Sequence, residues 1–359
     1  MKPLGTSGKI PVLVIFAPTA TGKTEVTGRL FSDNAPSFFA GKAEIISADS
    51  MQVYRSLDIG TAKPNSDFMS HLPHHLIDVA DASEQFSASQ FIDSADKACE
   101  KIYSSGKIPV VCGGTAFYIK NFIFGLPVTP ESDEKIRREL KERLERDGTS
   151  ALYKELCSLD SVSAQKIHPN DAYRICRALE VYHSSGKPLS EFEIPSAPRE
   201  KYDFLTIYLF RSREELYERI NFRVLKMFEE GLFDEMKNLI QSGYTQNMPG
   251  MSAIGYREFF TAGENPLDMF NLLDENFTTD GVPFFESPRF LVWKTEIKRQ
   301  IQKDTRHYAK KQITFFQPII NLYGNPANVH IVGADDIDTI ETLTIDYFSY
   351  LGHNYINSH

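Results

Sequence analysis

The chain has 359 residues, of which 42% are hydrophobic and 24% charged, which is an ordinary composition for a folded protein and too apolar for a disordered one. The longest early apolar run, Val12 to Ala17, is too short to cross a bilayer and lacks a secretory cleavage site, so we expect a cytoplasmic protein without membrane association. A net charge of -9 argues against indiscriminate coating of nucleic acid, and four widely spaced cysteines form neither a CxxC pair nor a zinc pattern.

Four short apolar runs rich in β-branched residues are candidates for buried strands. They are Val12 to Phe16, Ala43 to Ser47, Ile108 to Cys112 and Phe204 to Phe210. Helical periodicity follows each run, for example over Phe86 to Tyr103. Strands that alternate with helices favour a parallel sheet covered by helices on both faces.

The first strand leads into "APTATGKT", Ala17 to Thr24, which fits a relaxed P-loop pattern with Ala in place of the first Gly. Successive backbone N–H groups and a helix N-terminus would face an anion there, Lys23 would add a positive charge, and the Thr24 hydroxyl could bind Mg²⁺. Any diphosphate would satisfy these donors, so the motif does not require a nucleoside triphosphate. The alternative is a glycine turn with an exposed lysine. The candidate diphosphate-binding residues are Pro18, Thr19, Ala20, Thr21, Gly22, Lys23 and Thr24.

Polar residues also follow two of the other strands. Asp49 and Ser50 come after the second strand, so they should emerge at the carboxyl edge of the sheet beside the phosphate loop, where Asp49 alone would suggest a cap or a metal-shell residue. Thr115 follows "CGG", and the two glycines would allow close approach to a ligand or simply form a turn. The adjacent His74 and His75 should point to opposite faces of a strand, which favours a structural role over a metal site.

The middle of the chain changes character to charged, leucine-punctuated helix. "SDEKIRRELKERLERDG" offers Ser132 as a helix cap and Gly148 as a stop. A helical insertion in the sheet domain explains this pattern best. The predicted divisions are residues 1–131 and 199–324 for the two parts of the core, 132–198 for the insertion, and 325–359 for a C-terminal tail without a usable pattern.

Two long helices, Arg213 to Ser242 and Arg289 to Gln312, are predicted after the last strand, separated by a loop-rich excursion from Thr261 to Pro288 with a short helix. The stretch Lys294 to Lys311 is strongly basic and is either an exposed helix face or a phosphate-binding surface. Together, the elements predict an α/β fold: a P-loop NTPase-like parallel sheet flanked by helices, with a helical insertion domain.

Several motifs in a fixed order carry a family resemblance. They are "ADSMQVYRSLDIGTAKP", "PHHLIDV", "FSASQF", "VVCGGTAFY", "IHPNDAYRICRALEVYHSSGKPLSE", "RINFRVLKMFEEGLFDEM", "SAIGYRE" and "TRHYAKKQITFF". In these motifs the sequence resembles the tRNA dimethylallyltransferase family. The resemblance extends from Val12 to Phe316 apart from the Thr261 to Pro288 excursion, and Ala17 departs from the family's glycine by adding a Cβ beside the diphosphate.

The resemblance implies that the phosphate loop holds the diphosphate of dimethylallyl diphosphate. The dimethylallyl group would then move to the N6 amine of the adenosine 3′ of the anticodon, position 37 of tRNA. By the same resemblance Asp49 is the base, Thr115 and Arg223 are the other catalytic residues, and Thr24 carries Mg²⁺. Arg223 lies one helical turn beyond Arg219 and is the second arginine of the family's R-x-x-x-R pattern.

The family's tRNA contacts fall on short segments across the chain, where each residue also has a structural explanation. Arg137 could be a solvated helix charge, Ile175 helix packing and Tyr54 part of the core. The implied contacts are Asp49, Ser50, Met51, Gln52, Thr115, Arg137, Tyr173, Arg174, Ile175, Cys176, Arg177, Ser252, Ala253, Ile254, Gly255, Tyr256 and Arg257.

Other functions compete with tRNA prenylation. They are adenylate isopentenyl transfer to free AMP, ADP or ATP, phosphorylation by a P-loop metabolite kinase, and RNA binding without catalysis. The helical insertion, the "SAIGYRE" segment and the basic stretch favour a large RNA acceptor. We therefore expect the tRNA anticodon loop and dimethylallyl diphosphate as partners, Mg²⁺ as cofactor, and a monomer.

Overall fold

The strands and their order set the position of every loop that carries a candidate residue. The computed structural model describes residues 8–130, 133–193, 195–274, 277–279, 282–322 and 329–351. The strands are β1 Ile10–Phe16, β2 Ala43–Ser47, β3 His74–His75, β4 Ile108–Gly113, β5 Tyr202–Phe210, β6 Thr278–Thr279, β7 Val282–Pro283 and β8 Val329–Gly333. All strands except β6 and β7 form one parallel sheet in the order β3-β2-β4-β1-β5-β8, while β6 and β7 make a short antiparallel pair.

The four predicted strands are confirmed, and so is the α/β fold with a parallel sheet. β1 and β5 each begin earlier than predicted, at Ile10 and Tyr202. Every residue of β4 is buried, as a central parallel strand requires. In β3, His75 lies 2.7 Å from the Glu44 carboxylate, which agrees with a structural role for this histidine.

The helices are α1 Lys23–Phe31, α2 Ser66–His71, α3 Ala88–Ser104, α4 Ala116–Phe124, α5 Glu134–Leu159, α6 Ser161–Lys166, α7 Ala172–Ser185, α8 Arg213–Glu229, α9 Leu232–Gln241, α10 Arg257–Thr261, α11 Pro266–Asp274, α12 Pro288–Leu322 and α13 Ile337–Tyr350.

Helix α3 shows how local sequence determines where a helix begins and which face it buries. Ser87 and Gln90 form a reciprocal capping box at its N-terminus, and its apolar stripe, which includes Phe91 and Ile102, is buried.

Two helix predictions need correction. The predicted helix from Arg213 to Ser242 is two helices, because Gly231 adopts φ 102° between α8 and α9, a left-handed conformation that glycine tolerates. The predicted cap, Ser132, lies outside the described residues. Asp133 is the N-cap of α5, and its carboxylate accepts the N–H groups of Lys135 and Ile136.

The C-terminal tail contributes to the sheet, which the sequence did not predict. β8 pairs in parallel with β5, in a register that places Val329 opposite Thr206 and Gly333 opposite Phe210. Helix α13 buries Phe348 in the hydrophobic core beside the sheet. The tail is therefore an edge strand and a covering helix.

The chain divides into two compact units, one formed by Met1–Ile123 with Arg199–His359 and the other by Phe124–Pro198. The helical unit thus begins at Phe124, whereas the predicted insertion begins at residue 132. Its helices α5, α6 and α7 enclose a separate core of buried apolar residues, Leu140, Leu152, Leu156, Ala164, Ile175, Ala178 and Leu179.

In the larger unit, a second core cluster supports the loop that follows β2. Val53 and Tyr54 of this loop pack in one cluster with Trp293 of α12 and Met236 of α9. The Glu235 carboxylate accepts backbone N–H groups from residues 58–60 and the hydroxyl hydrogen of Tyr256. The loop that begins at Asp49 is therefore anchored to helices far away in sequence.

Candidate active site

The phosphate loop, Ala17 to Thr24, connects the buried end of β1 to α1. Ala20 and Gly22 adopt left-handed conformations, with φ 62° and 110°. The Thr21 hydroxyl donates to the Pro18 carbonyl at 2.9 Å, which closes the loop on itself. The sign of φ alternates along residues 20–22. A segment with this backbone at a helix N-terminus presents N–H groups on one side, as an anion site requires.

Two cations with desolvated charged groups lie at this loop. The Lys23 ammonium donates to the carbonyls of Ala17 and Pro18, each at 3.0 Å, and the Arg223 guanidinium donates to the Thr19 hydroxyl at 2.8 Å. The buried Arg223 Nε has no hydrogen-bond partner among the described residues. Burial lowers the pKa of both Lys23 and Arg223, because a desolvated positive charge is unfavourable until an anion compensates it.

The Asp49 carboxylate lies at the end of β2. Its Oδ1 accepts the backbone N–H groups of Met51 at 2.9 Å and Gln52 at 3.4 Å. Asp49 is close enough to Lys23 and Arg223 to raise the pKa of each against the dominant lowering effect of burial. The Asp49 carboxylate could accept a proton, and the phosphate loop with its two cations could hold a diphosphate. These two parts of the site therefore interact electrostatically.

Thr115 joins the ends of β4 and β2. Its hydroxyl accepts the Ser50 N–H at 2.9 Å and donates to the Ser50 hydroxyl at 3.3 Å. The strands approach closely here, since a Cβ on Gly113 would lie 2.1 Å from the Ala48 carbonyl oxygen. Glycine is thus required at residue 113, and the contact places Thr115 beside Asp49.

Helix α12 contributes two residues that the sequence analysis missed. The buried Gln312 side chain accepts the Thr19 N–H at 2.8 Å and donates to the Gly114 carbonyl at 2.7 Å, so it bridges the phosphate loop and the turn before Thr115. The Tyr308 hydroxyl interacts with Thr115 and Gln312, and desolvation of this hydroxyl, reinforced by the Asp49 charge, raises the pKa of Tyr308 although the residue as a whole is 38% exposed. Their spacing of four residues places both on one helix face, but this spacing does not indicate what that face contacts.

A sequence model of the IPP transferase family matches residues 52–318. The chain belongs to this family. Among curated relatives, tRNA dimethylallyltransferase of Geobacter sulfurreducens is 38% identical over 95% of this chain and 97% of its own length. The tRNA dimethylallyltransferase 2 of Geotalea uraniireducens is 41% identical over 86% of this chain and 89% of its own.

Solved structures of IPP transferases agree with this assignment. The full-length tRNA isopentenylpyrophosphate transferase of Bacillus halodurans is 33% identical with a TM-score of 0.58, covering 96% of this chain and 98% of that one. A eukaryotic dimethylallyltransferase acting on tRNA is 27% identical with a TM-score of 0.71, covering 97% of this chain and 79% of that one. These names give no support to a kinase or to a transferase for free nucleotides.

The acceptor segments implied by the family lie partly at this site. Ser50 and Met51 adjoin Asp49, whereas the Gln52 side chain accepts from the Ser47 hydroxyl at 3.0 Å and donates toward the carbonyls of Thr61 and Ala62. In the segment Ser252 to Arg257, Ser252 and Arg257 are exposed and Ile254 is half-buried. Ala253, Gly255 and Tyr256 are buried and Gly255 adopts φ 108°, so these three residues support the loop, and the side chains of Ala253 and Tyr256 are almost entirely shielded from solvent.

In the helical unit, some of the implied tRNA-contact residues are exposed and others are buried or half-buried. Tyr173 is 81% exposed, and Arg137 and Arg174 are also exposed. Ile175 is fully buried in the core of the unit, so packing explains this residue and direct contact with tRNA by its side chain does not. Cys176 and Arg177 are half-buried, and Arg177 pairs with Glu180 at 3.0 Å.

The described residues contain no group of three or more His, Cys, Asp or Glu side chains that could hold a metal ion. Thr24 is exposed at the first turn of α1, beside the loop. A single protein hydroxyl is compatible with Mg²⁺, because Mg²⁺ commonly uses few protein ligands and completes its coordination with water and substrate phosphate oxygens. In the described part of the chain, no helix combines the length and apolar character needed to cross a membrane.

Proposed function

We propose that this protein transfers the dimethylallyl group of dimethylallyl diphosphate to the N6 amine of adenosine 37 in tRNA and releases diphosphate. The observation that carries the proposal is that the Asp49 carboxylate lies within electrostatic reach of two desolvated cations at the phosphate loop, Lys23 and Arg223. The acceptor would be the anticodon loop, where an unpaired base leaves its stack at low cost. We further propose a cytoplasmic monomer.

The acceptor side requires a base, since the lone pair of the adenine amine is delocalised into the ring. As the amine nitrogen bonds to C1 of the dimethylallyl group, a proton leaves N6, and the Asp49 carboxylate would accept it. Thr115 holds Ser50 next to this carboxylate, and the backbone N–H groups of Met51 and Gln52 fix its orientation. These contacts position the base before the acceptor arrives.

The donor side requires stabilisation of a leaving group. The C1–O bond breaks and its electron pair remains on the diphosphate, whose negative charge increases in the transition state. Lys23, Arg223 and the N–H groups of the phosphate loop would bind this charge. Mg²⁺ on Thr24 would supply further charge neutralisation when it is bound.

The test uses labelled dimethylallyl diphosphate, Mg²⁺ and tRNA that lacks modification at position 37, with AMP and ATP as competing acceptors. We expect label in tRNA alone, and nuclease mapping should place it at position 37. Transfer to AMP or ATP would favour the adenylate alternative. Phosphorylation of a metabolite by ATP would favour a kinase.

A variant pair tests the base. Asp49→Asn keeps the shape and most hydrogen bonding of the side chain but cannot accept the proton, so turnover should fall by about 10²- to 10⁴-fold while tRNA binding remains. Asp93→Asn, at an exposed residue of α3, is the matched control and should behave as wild type. Unchanged turnover in Asp49→Asn would exclude Asp49 as the base.

A further inference from the structure

The carbonyl groups of the phosphate loop are held by arginines from the α8 region. Arg219 Nε donates to the Ala20 carbonyl at 3.0 Å, and Arg211 Nε donates to the Thr21 carbonyl at 2.6 Å. In a planar trans peptide the C=O and the following N–H point in opposite directions. Fixing these two carbonyls therefore directs the N–H groups of Thr21 and Gly22 away from the arginines, which is the orientation an anion cradle needs.

The phosphate loop needs contacts with residues outside the loop to keep its conformation. Ala20 has φ 62°, a left-handed conformation that is unfavourable for a residue other than glycine. The loop would relax to other conformations if its carbonyls were released, and some of these would turn carbonyl oxygens toward the ligand. The Arg211 side chain is only 4% exposed, so its hydrogen bond to Thr21 is shielded from competing water.

The guanidinium of Arg211 is oriented in turn by the C-terminal tail. Asp335 accepts two hydrogen bonds from it, at 2.7 Å and 2.5 Å, and Glu215 accepts another. The pairing of β5 with β8 sets this geometry, because Phe210 lies opposite Gly333 and the Ala334 N–H donates to the Phe210 carbonyl at 3.1 Å. The hydrogen bonds from Arg211 lower the pKa of Asp335, so the carboxylate is ionised at neutral pH.

We propose that Asp335 is a positioning residue for diphosphate binding: it holds Arg211 on the Thr21 carbonyl and so keeps the phosphate loop in its binding conformation. The inference rests on the proposed function, because it assumes that the loop binds the diphosphate of the donor. It also gives a role to the tail beyond residue 318, where the match to the family model ends.

Positioning and simple electrostatics predict opposite effects for Asp335→Asn. Removing a negative charge near an anion site should strengthen anion binding if charge alone matters. If Asp335 positions Arg211, its neutralisation should weaken binding, because Asn replaces a charge-assisted bidentate contact with weaker hydrogen bonding. The sign of the change therefore separates the two explanations.

The experiment measures the affinity of the full-length protein for inorganic diphosphate by calorimetry, together with KM and kcat for dimethylallyl diphosphate. Asp335→Asn should raise both Kd and KM about three- to tenfold, the usual effect of removing one such hydrogen bond, and should change kcat by less than about twofold. Asp338→Asn, in the exposed first turn of α13, removes the same charge nearby and should leave Kd unchanged or slightly lower.

Asp335→Glu separates positioning from misfolding, because it keeps the charge at a side chain that is 77% exposed and should recover part of the affinity. If the wild-type protein binds diphosphate and Asp335→Asn binds it equally or more tightly, this inference is overturned and the proposed function is not. Parallel weakening in Asp335→Asn and Asp338→Asn would overturn it as well. Wild-type protein that fails to bind diphosphate would overturn both this inference and the proposed function.

Discussion

Lys23 should make the proposed diphosphate binding dependent on pH. Burial lowers the pKa of Lys23 below its ordinary value of 10.5, although the nearby Cys112 and Asp49 partly oppose this shift. The ammonium is charged below its pKa and neutral above it, so affinity for diphosphate should fall as the pH rises through this lowered pKa. Calorimetry with inorganic diphosphate between about pH 7 and about pH 10 measures the effect.

The control for this pH dependence is Lys23→Arg, because arginine stays charged across the whole range. Its affinity should be lower than that of wild type, since the longer side chain cannot reproduce both loop contacts, but it should vary less with alkaline pH. The same alkaline decrease of affinity in the Arg variant would show that another group is responsible.

Thr115 should affect the chemical step more than donor binding. Thr115→Val keeps the shape of the side chain but leaves the Ser50 N–H without its 2.9 Å acceptor beside Asp49. Loss of this part-buried contact would let Asp49 move from its position, and a displacement of about 1 Å at a catalytic group can cost about 10²-fold, so the single-turnover rate should fall by up to about 100-fold. Rapid-quench measurement at saturating donor and tRNA tests this effect, and Thr115→Ser should retain most of the rate.

At the residue scale, the sequence predicts the site residues that directly follow strands. It does not predict the site residues on helices that are distant in sequence. Lys23, Asp49 and Thr115 follow strands β1, β2 and β4, and a parallel sheet brings the carboxyl ends of its strands to one edge. Gln312 contacts Thr19 across 293 residues of sequence. No local pattern specifies such a contact, because it depends on the packing of α12 against two loops.

At the element scale, the loop after β2 depends on a close contact at Gly60. Its N–H donates to the Tyr256 hydroxyl at 3.1 Å, and a Cβ on Gly60 would lie 2.5 Å from the Tyr256 ring. Gly60→Ala should therefore lower the free energy of unfolding by about 1–3 kcal/mol, because the buried ring must move. Urea denaturation measures this change.

Gly106 provides the comparison for Gly60. A Cβ there meets nothing within 4 Å, but its φ of 80° is unfavourable for alanine. Gly106→Ala should cost about 1 kcal/mol of stability and leave transfer activity intact, whereas Gly60→Ala should also reduce activity through the loop that carries Asp49. Equal decreases of stability and activity in the two variants would contradict the steric explanation.

A strand could be predicted where the apolar pattern of its own residues is enough to indicate a strand. The apolar runs of β1, β2, β4 and β5 are sufficient to indicate buried parallel strands. The exposure pattern of β8 is mixed, with Val332 buried and Ile331 60% exposed, because β8 is an edge strand stabilised by its pairing with β5. Only the assembled sheet reveals such a strand.

At the scale of the whole molecule, a net charge of -9 coexists with a basic stretch on α12. Several of its cations have partners within the protein. Arg299 pairs with Glu296, and the Lys294 ammonium lies 5.5 Å from the Phe233 ring centroid. Lys303, His307 and Lys310 are exposed with helical spacing on one face, so they form the best candidate for a phosphate-binding surface.

This surface should make tRNA binding strongly dependent on salt. A lysine that neutralises a phosphate releases condensed counterions, so replacing Lys303 and Lys310 by Gln should weaken tRNA binding and reduce the slope of log K against log salt by about 0.7–0.9 for each phosphate that is no longer neutralised. Fluorescence anisotropy with labelled tRNA over a range of salt concentrations measures this slope. Lys97→Gln on α3 is the control for general charge, and a double variant with the wild-type slope would show that this face of α12 does not bind phosphates.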